Sequence, residues 1–212
     1  MDAESLHTAI AGQRRDFADL IIGLTAEQLA VRSLCGEWTV QEVAGHISFA
    51  AKPNLREFGA AVLRHRGNFD RANDVIAKRY GDRPVDTIVG HIREVADSRT
   101  HPPGPGGRYA PLADILLHTT DVREPLQLSY APPADAVRQA LIFLASSPFG
   151  FVRRGRLKGL RLVAPDVSFE HGSGELVEGR GIDLAMAMTG RPSALSRLSG
   201  DGVEVLRSHN GG

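Results

Sequence analysis

The chain has 212 residues, of which 42% are apolar and 24% charged, an ordinary composition for a globular protein. Lysine plus arginine equals aspartate plus glutamate, at 25 each, so no overall field favours nucleic acid or an anionic membrane as a partner. The one cysteine, Cys35, excludes an intrachain disulfide and a cysteine-rich zinc finger. No apolar N-terminal stretch and no apolar run of about 18 residues is present, which predicts a cytoplasmic protein without a signal peptide or a transmembrane helix.

The first half of the chain predicts helices. Apolar residues recur at helical spacing from Ser5 to Leu24. Thr25-Ala-Glu-Gln28 and Thr39-Val-Gln-Glu42 have the spacing of capping boxes, and each predicts the start of a helix. In the long run after the second box, Pro53 predicts a kink or a new segment, because proline removes a donor and clashes with the preceding turn. Further helices are predicted from Phe69 to about Tyr80, from Arg83 onward, from Pro111 to Arg123 and from Ala134 to Ser146.

The segment from Thr100 to Arg108 contains three prolines and three glycines, which predicts a loop. Its position directly before a helix would suit a lid or a substrate-selecting wall, and His101 and Arg108 are the polar side chains that it offers.

The pattern changes after Pro148. The remaining segments are, in order, two strands (Leu160 to Ala164 and Val167 to His171), a short helix (Ile182 to Met188), and a turn with a final strand (Gly200 to Leu206). We therefore predict an α+β protein in which residues 1–150 form a helical domain and residues 151–212 a small α+β domain. The basic segment from Arg153 to Arg161 is a solvated surface, an anion site or a link between the domains.

Three residues in the helical part suggest a metal site. Asp114 and His118 are four residues apart on one predicted helix, so both side chains leave the same face. His46 lies on an earlier helix and shares its face with Val43 and Ile47, which directs it to the interior. The alternative is a helical bundle without metal, in which these polar groups bond to one another.

Two motifs resemble a known family. Trp38-Thr-Val-Gln-Glu-Val-Ala-Gly-His46 resembles the W-[ST]-x-x-[ED]-x-x-x-H signature of DinB-like four-helix-bundle proteins. More narrowly, Asp114-Ile-Leu-Leu-His118-Thr-Thr-Asp121-Val is similar to the E-x-x-x-H-x-x-D-[VL] motif of the mycothiol-dependent maleylpyruvate isomerase family. The stretch from Gly181 to Arg191, followed by Leu198-Ser-Gly-Asp-Gly, is similar to the small second domain of that family.

The resemblance implies a DinB-like four-helix bundle followed by a small α+β domain, with a metal held by His46, His118 and one carboxylate. Asp114 stands where the family usually has glutamate, which shortens the arm by roughly 1.5 Å. Asp121 is the substitute ligand, or a hydrogen-bond acceptor for a ligand imidazole. Zinc is the expected metal, and nickel or iron would suit the same ligands.

The resemblance also implies mycothiol as a thiol cosubstrate, which attacks a small electrophilic substrate in an isomerisation or an S-transfer, with maleylpyruvate as the model. Asp121, Arg123 and Arg191 are the candidate catalytic residues. Arg123, Arg191 and Trp38 are the candidate contacts to the thiol, whereas Cys35 is expected to be a small buried hydrophobe. The protein would be a monomer or a homodimer. The alternative is a non-catalytic metal- or thiol-binding stress-response protein, which the replacement of glutamate by Asp114 favours.

Overall fold

The structure, a computed structural model, describes residues 1–102, 106–146 and 150–209. The chain divides into two compact units. The first, called here the helical unit, comprises Asp2–His101 and His118–Tyr130. The second, called the mixed unit, comprises Met1, Pro102–Leu117 and Ala131–Gly212.

The helical unit is built from helices. They are α1 (Ala3–Ile22), α2 (Ala26–Leu29), α3 (Val40–Ala50), α4 (Leu55–Arg64), α5 (Phe69–Gly81), α6 (Val85–Glu94) and the second part of α7 (Ala110–Arg123). Helix α1 packs on α6, and α3 packs on both α5 and α6. The helical character predicted for this region is confirmed, whereas the four-helix arrangement itself stays a prediction.

The local signals in the sequence set the helix starts. At the start of α3, the Thr39 side chain accepts from the Glu42 backbone N–H at 3.2 Å, while the Glu42 side chain accepts from the Thr39 backbone N–H at 2.7 Å. Thr25 and Gln28 make the same pair at the start of α2. Both predicted capping boxes are therefore confirmed. Pro53 lies between α3 and α4, so it separates two helices rather than bending one.

Helices α3 and α5 approach each other closely at two glycines. A Cβ atom added to Gly45 would lie 2.3 Å from the backbone nitrogen of Gly81, and one added to Gly81 would lie 2.8 Å from the Cα of Glu42. No side chain fits at either position without moving a backbone. Gly45 directly precedes His46, so this contact fixes the part of α3 that carries a candidate ligand.

The mixed unit combines a small sheet with helices. Its elements after the first part of α7 are α8 (Ala134–Ser146), β1 (Leu160–Ala164), β2 (Phe169–Gly172), β3 (Glu175–Glu178), α9 (Gly181–Met188) and α10 (Gly202–Ser208). The sheet order is β2-β1-β3, with β2 antiparallel and β3 parallel to β1. Helix α9 is buried along its whole length and packs on α8 and β1. The α+β class is confirmed.

The end of the chain differs from the sequence prediction. The final strand predicted from Gly200 to Leu206 is wrong, because this segment forms α10. The alternation Val-Glu-Val suggested a strand, but Val203 and Leu206, three residues apart, are the buried positions, as on one face of a helix. Strand β3 was not predicted. The domain boundary near residue 150 stays a prediction, and α8 packs within the mixed unit.

None of the helices in the described part of the chain is long and apolar enough to cross a lipid bilayer.

Candidate metal centre

The three predicted ligands come together in the structure. His46 is on α3, and Asp114 and His118 are on successive turns of α7. Each offers one ligand atom, and these atoms all lie within 4.8 Å of one another. The ligand atoms of a tetrahedral zinc site lie about 3.4 Å apart, as bond lengths of about 2.1 Å require. Small side-chain movements would therefore complete such a site, and two imidazoles with one carboxylate suit zinc, nickel or iron.

The two histidines are nearly enclosed. His46 is 8% exposed and His118 is 7% exposed, and their ring centres lie 4.8 Å apart in an edge-to-face arrangement. Low exposure strengthens the interaction between an imidazole lone pair and a cation, because less water competes for either. The enclosure therefore favours metal binding over a solvated surface cluster.

Asp121 orients His118. Its Oδ2 lies 2.9 Å from the Nδ1 of His118, and its side chain is fully buried. A carboxylate accepts, so Nδ1 carries the proton and Nε2 keeps its lone pair. Carboxylate acceptors of this kind commonly hold a metal-binding histidine in one ring orientation. The geometry thus favours Asp121 as the acceptor and Asp114 as the ligand.

Cys35 forms a second group with the same histidine. Cys35, His118 and Asp121 also offer ligand atoms within 4.8 Å of one another. The loop that carries Cys35 is tied to α7, because the backbone N–H of Leu34 donates to the Asp121 carbonyl oxygen at 3.1 Å. Only the position of Cys35, three residues before Trp38 in the sequence, indicated this proximity.

Trp38 lies against both histidines. Its ring centre is 5.1 Å from that of His46 and 6.1 Å from that of His118, with tilts of 33° and 37°. Its indole N–H donates to Asp74 Oδ1 at 3.0 Å. Trp38 as a contact to the thiol stays a prediction, and nothing in the sequence indicated Asp74.

The predicted arginines have partners near them in sequence. In the helical unit, Arg123 Nη1 donates to the Ser129 carbonyl oxygen at 2.8 Å, and its guanidinium lies 5.4 Å from the ring centre of Tyr130. These contacts hold the segment that follows α7. In the mixed unit, Arg191 Nη1 donates to the Thr189 carbonyl oxygen at 3.3 Å. Their catalytic and thiol-binding roles stay predictions.

Arg191 belongs to a positive cluster in the mixed unit. Burial, together with the charges of Arg153 and Arg191, lowers the pKa of Arg156 below its usual value. Arg153 and Arg191 therefore lie close enough to Arg156 for their positive charges to disfavour its charged form.

The described ends of the predicted loop are exposed at His101 and Arg108, and Arg108 Nη2 donates to the Tyr109 hydroxyl at 2.7 Å. The segment from Pro103 to Pro105 lies outside the described residues.

Fold and site together define a class: a helical protein that gathers candidate metal ligands from separate helices, combined with a small α+β region. The sequence narrows this class further. The family model described as "Mycothiol maleylpyruvate isomerase N-terminal domain" matches residues 10–157, and the chain belongs to this family.

Solved structures share the fold. The crystal structure of the mycothiol-dependent maleylpyruvate isomerase superimposes with a TM-score of 0.61, and that of a histidine-to-alanine mutant with 0.63. Each is 12% identical in sequence, and each match covers 95% of this chain and 93% of the other. No match was found among curated protein sequences.

Proposed function

We propose that this protein is a mycothiol-dependent metalloenzyme that acts on a small electrophilic substrate by isomerisation or S-transfer. The observation that carries the proposal is the gathering of His46, Asp114 and His118 within 4.8 Å of one another in a member of this family. The relatives of the same fold, which are mycothiol-dependent isomerases by description, supply the model reaction, a maleylpyruvate-like cis–trans isomerisation.

His46, Asp114 and His118 would hold the divalent metal, with zinc as the first choice. A bound metal would supply a Lewis acid that favours the thiolate form of a thiol at neutral pH. Three protein ligands leave a position open, as in catalytic rather than structural zinc sites. Asp121 would keep the proton of His118 on Nδ1 and the ring in its binding orientation.

The reaction chemistry follows from the thiol. Addition of mycothiol to a conjugated double bond, rotation about the resulting single bond and elimination of the thiol give the trans isomer and return the thiol unchanged. Displacement of a leaving group instead gives S-transfer. Arg123 or Arg191 would bind a carboxylate of the substrate through two parallel hydrogen bonds.

A second candidate function is favoured by Cys35. Because Cys35 offers a sulfur atom close to His118, the protein can instead be a metal- or thiol-binding stress-response protein without turnover. In that case a fourth protein ligand would close the metal site.

The metal content of the purified protein tests whether the three proposed ligands hold a metal ion. Protein purified without chelator should carry about one metal ion per chain, and His46→Ala should carry almost none, by elemental analysis. His171→Ala is the matched control, because this histidine is exposed on β2 in the mixed unit. Equal trace metal in the wild type and His46→Ala would contradict the proposal.

Thiol binding tests whether the metal-loaded protein uses mycothiol. Calorimetry should show mycothiol binding to the metal-loaded wild type and weak or no binding to His46→Ala. If the loaded wild type binds metal but no thiol, the enzyme proposal fails and the closed metal site is favoured. Mycothiol-dependent conversion of maleylpyruvate would then separate an isomerase of the model type from other thiol chemistry.

A further inference from the structure

Trp38 is the one tryptophan of the chain, and it has two kinds of neighbour. Its ring lies near the imidazoles of His46 and His118. Its N–H, in the plane of the ring, donates to Asp74 on α5. The side chain is 7% exposed, so it can move only if these neighbours move.

Asp74 also forms an ion pair on its own helix. Lys78, one turn later on α5, lies with its Nζ 2.9 Å from Asp74 Oδ1 and 3.2 Å from Oδ2. Burial raises the pKa of Asp74, but the hydrogen bonds from Lys78 and Trp38 and the charges of Lys78 and Arg71 outweigh it, so that the pKa is lowered. Asp74 is therefore an anion at neutral pH that accepts from the indole N–H.

We propose that Asp74 is a positioning residue for the metal centre, which acts by holding the Trp38 indole against both candidate ligand histidines. The inference rests on the proposed function in that it takes His46 and His118 as metal ligands. According to this inference, helix α5 also shapes the metal centre, although it supplies none of the proposed ligands.

Two physical effects give Asp74 this role. The acceptor oxygen of Asp74, 3.0 Å from the indole nitrogen, fixes the plane of the indole through a directional hydrogen bond. An indole fixed within about 6 Å of two rings restricts their tilt, because aromatic pairs prefer defined geometries. The imidazoles become more positive when they bind a cation, and the negative face of an indole favours that state.

The fluorescence of Trp38 gives a first readout that needs neither activity nor metal. In metal-free protein, Asp74→Ala should shift the emission maximum and increase quenching by acrylamide, since the N–H loses its acceptor. Asp74→Asn keeps an acceptor oxygen at the same place and should restore most of the wild-type spectrum. Lys78→Met removes the ion pair but leaves the Trp38 contact, and is the matched control.

Zinc affinity, measured by competition with a chromophoric chelator, gives the second readout. Asp74→Ala should bind zinc about 10-fold more weakly than wild type, the lower end of the effect of groups that orient metal ligands. Asp74→Asn and Lys78→Met should stay within about threefold. In a Trp38→Phe background, Asp74→Ala should have no further effect, because the coupling passes through the indole N–H.

Each other outcome overturns the inference. Wild-type zinc affinity in Asp74→Ala would show that the Trp38 contact does not reach the ligands. The same loss in the Trp38→Phe background would show that Asp74 acts on the stability of α5 alone. If Asp74→Ala does not fold, Trp38→Phe decides, because it removes the donor of the same hydrogen bond and should weaken zinc binding by a similar factor, whereas wild-type zinc affinity in Trp38→Phe would overturn the inference. If the wild type binds no zinc, the proposed function is contradicted as well. If the wild type binds zinc and Asp74→Ala binds it equally tightly, only this inference is contradicted.

Discussion

At the scale of single residues, the two carboxylates of α7 have different surroundings. Asp121 is fully buried and its Oδ2 is bound to His118 Nδ1. Asp114 is half-buried and lies one turn earlier, in the group with both histidines. The shorter arm of Asp114, relative to the glutamate usual in the family, does not take it out of reach of the group. The structure therefore supports separate roles for two residues that the sequence left as alternatives.

Substitutions of the two carboxylates should have unequal effects on metal binding. Asp114→Ala removes a proposed ligand and should reduce metal content to a small fraction of the wild-type value. Asp121→Asn keeps an acceptor for His118 but loses the charge, so it should still bind metal with an affinity about 10-fold lower. Elemental analysis and chelator competition measure both quantities. The opposite pattern, with full metal content in Asp114→Ala and none in Asp121→Asn, would make Asp121 the ligand.

At the scale of helices, the position of His46 depends on how closely α3 and α5 pack. A methyl group at Gly45 would meet the backbone of Gly81, and an overpacked contact of this kind typically costs about 1–3 kcal/mol. We expect Gly45→Ala to lower the free energy of unfolding in urea by about this amount, and to reduce metal content because His46 is displaced.

A second helical glycine provides the control. A Cβ atom added to Gly12, inside α1, meets nothing within 4 Å. Gly12→Ala should therefore leave metal content unchanged and raise the free energy of unfolding by about 0.5–1 kcal/mol, because alanine loses less backbone freedom in a helix. Equal stability of Gly45→Ala and Gly12→Ala would show that the two helices can separate without cost.

What could be predicted from the sequence was mainly local. The capping box at Thr39 and the four-residue spacing of Asp114 and His118 depend on neighbouring residues alone. His46 was added to the predicted ligands by its position on an apolar helix face together with the resemblance to the family. The contact of Trp38 with Asp74, by contrast, joins the segment before α3 to helix α5, and the two residues are 36 positions apart, so no spacing rule indicates it. The strand predicted at the C-terminus is wrong because a short alternation of apolar and polar residues fits both the period of a strand and that of a helix. The buried residues Val203 and Leu206 are three positions apart, which is the spacing of a helix.

At the scale of the whole molecule, charge is balanced, with 25 basic and 25 acidic residues. Repulsion between like charges of the chain is therefore small near neutral pH, and the pH dependence of the free energy of unfolding is determined by individual titrating groups. Tyr130 is such a group, and its hydroxyl donates to Gln13 Oε1 on α1 at 2.6 Å. Burial raises the pKa of Tyr130 above its usual value of 10.0, and outweighs the hydrogen bond with Thr119 and the charge of Arg123, which lower it.

The raised pKa of Tyr130 predicts a loss of stability in alkaline solution. The phenol is neutral in both the folded and the unfolded chain below its usual pKa, so its contribution is complete there. Above about pH 10 the unfolded chain loses this proton while the folded chain keeps it, and the free energy of unfolding should fall by up to about 1.4 kcal/mol per pH unit. Urea unfolding of the wild type and of Tyr130→Phe between about pH 9 and about pH 11 measures the difference in slope.

Tyr109→Phe, which removes a hydroxyl from the mixed unit, is the control and should keep the wild-type slope. The same slope in Tyr130→Phe and the wild type would mean that the phenol ionises without unfolding, which its burial and its bond to Gln13 oppose.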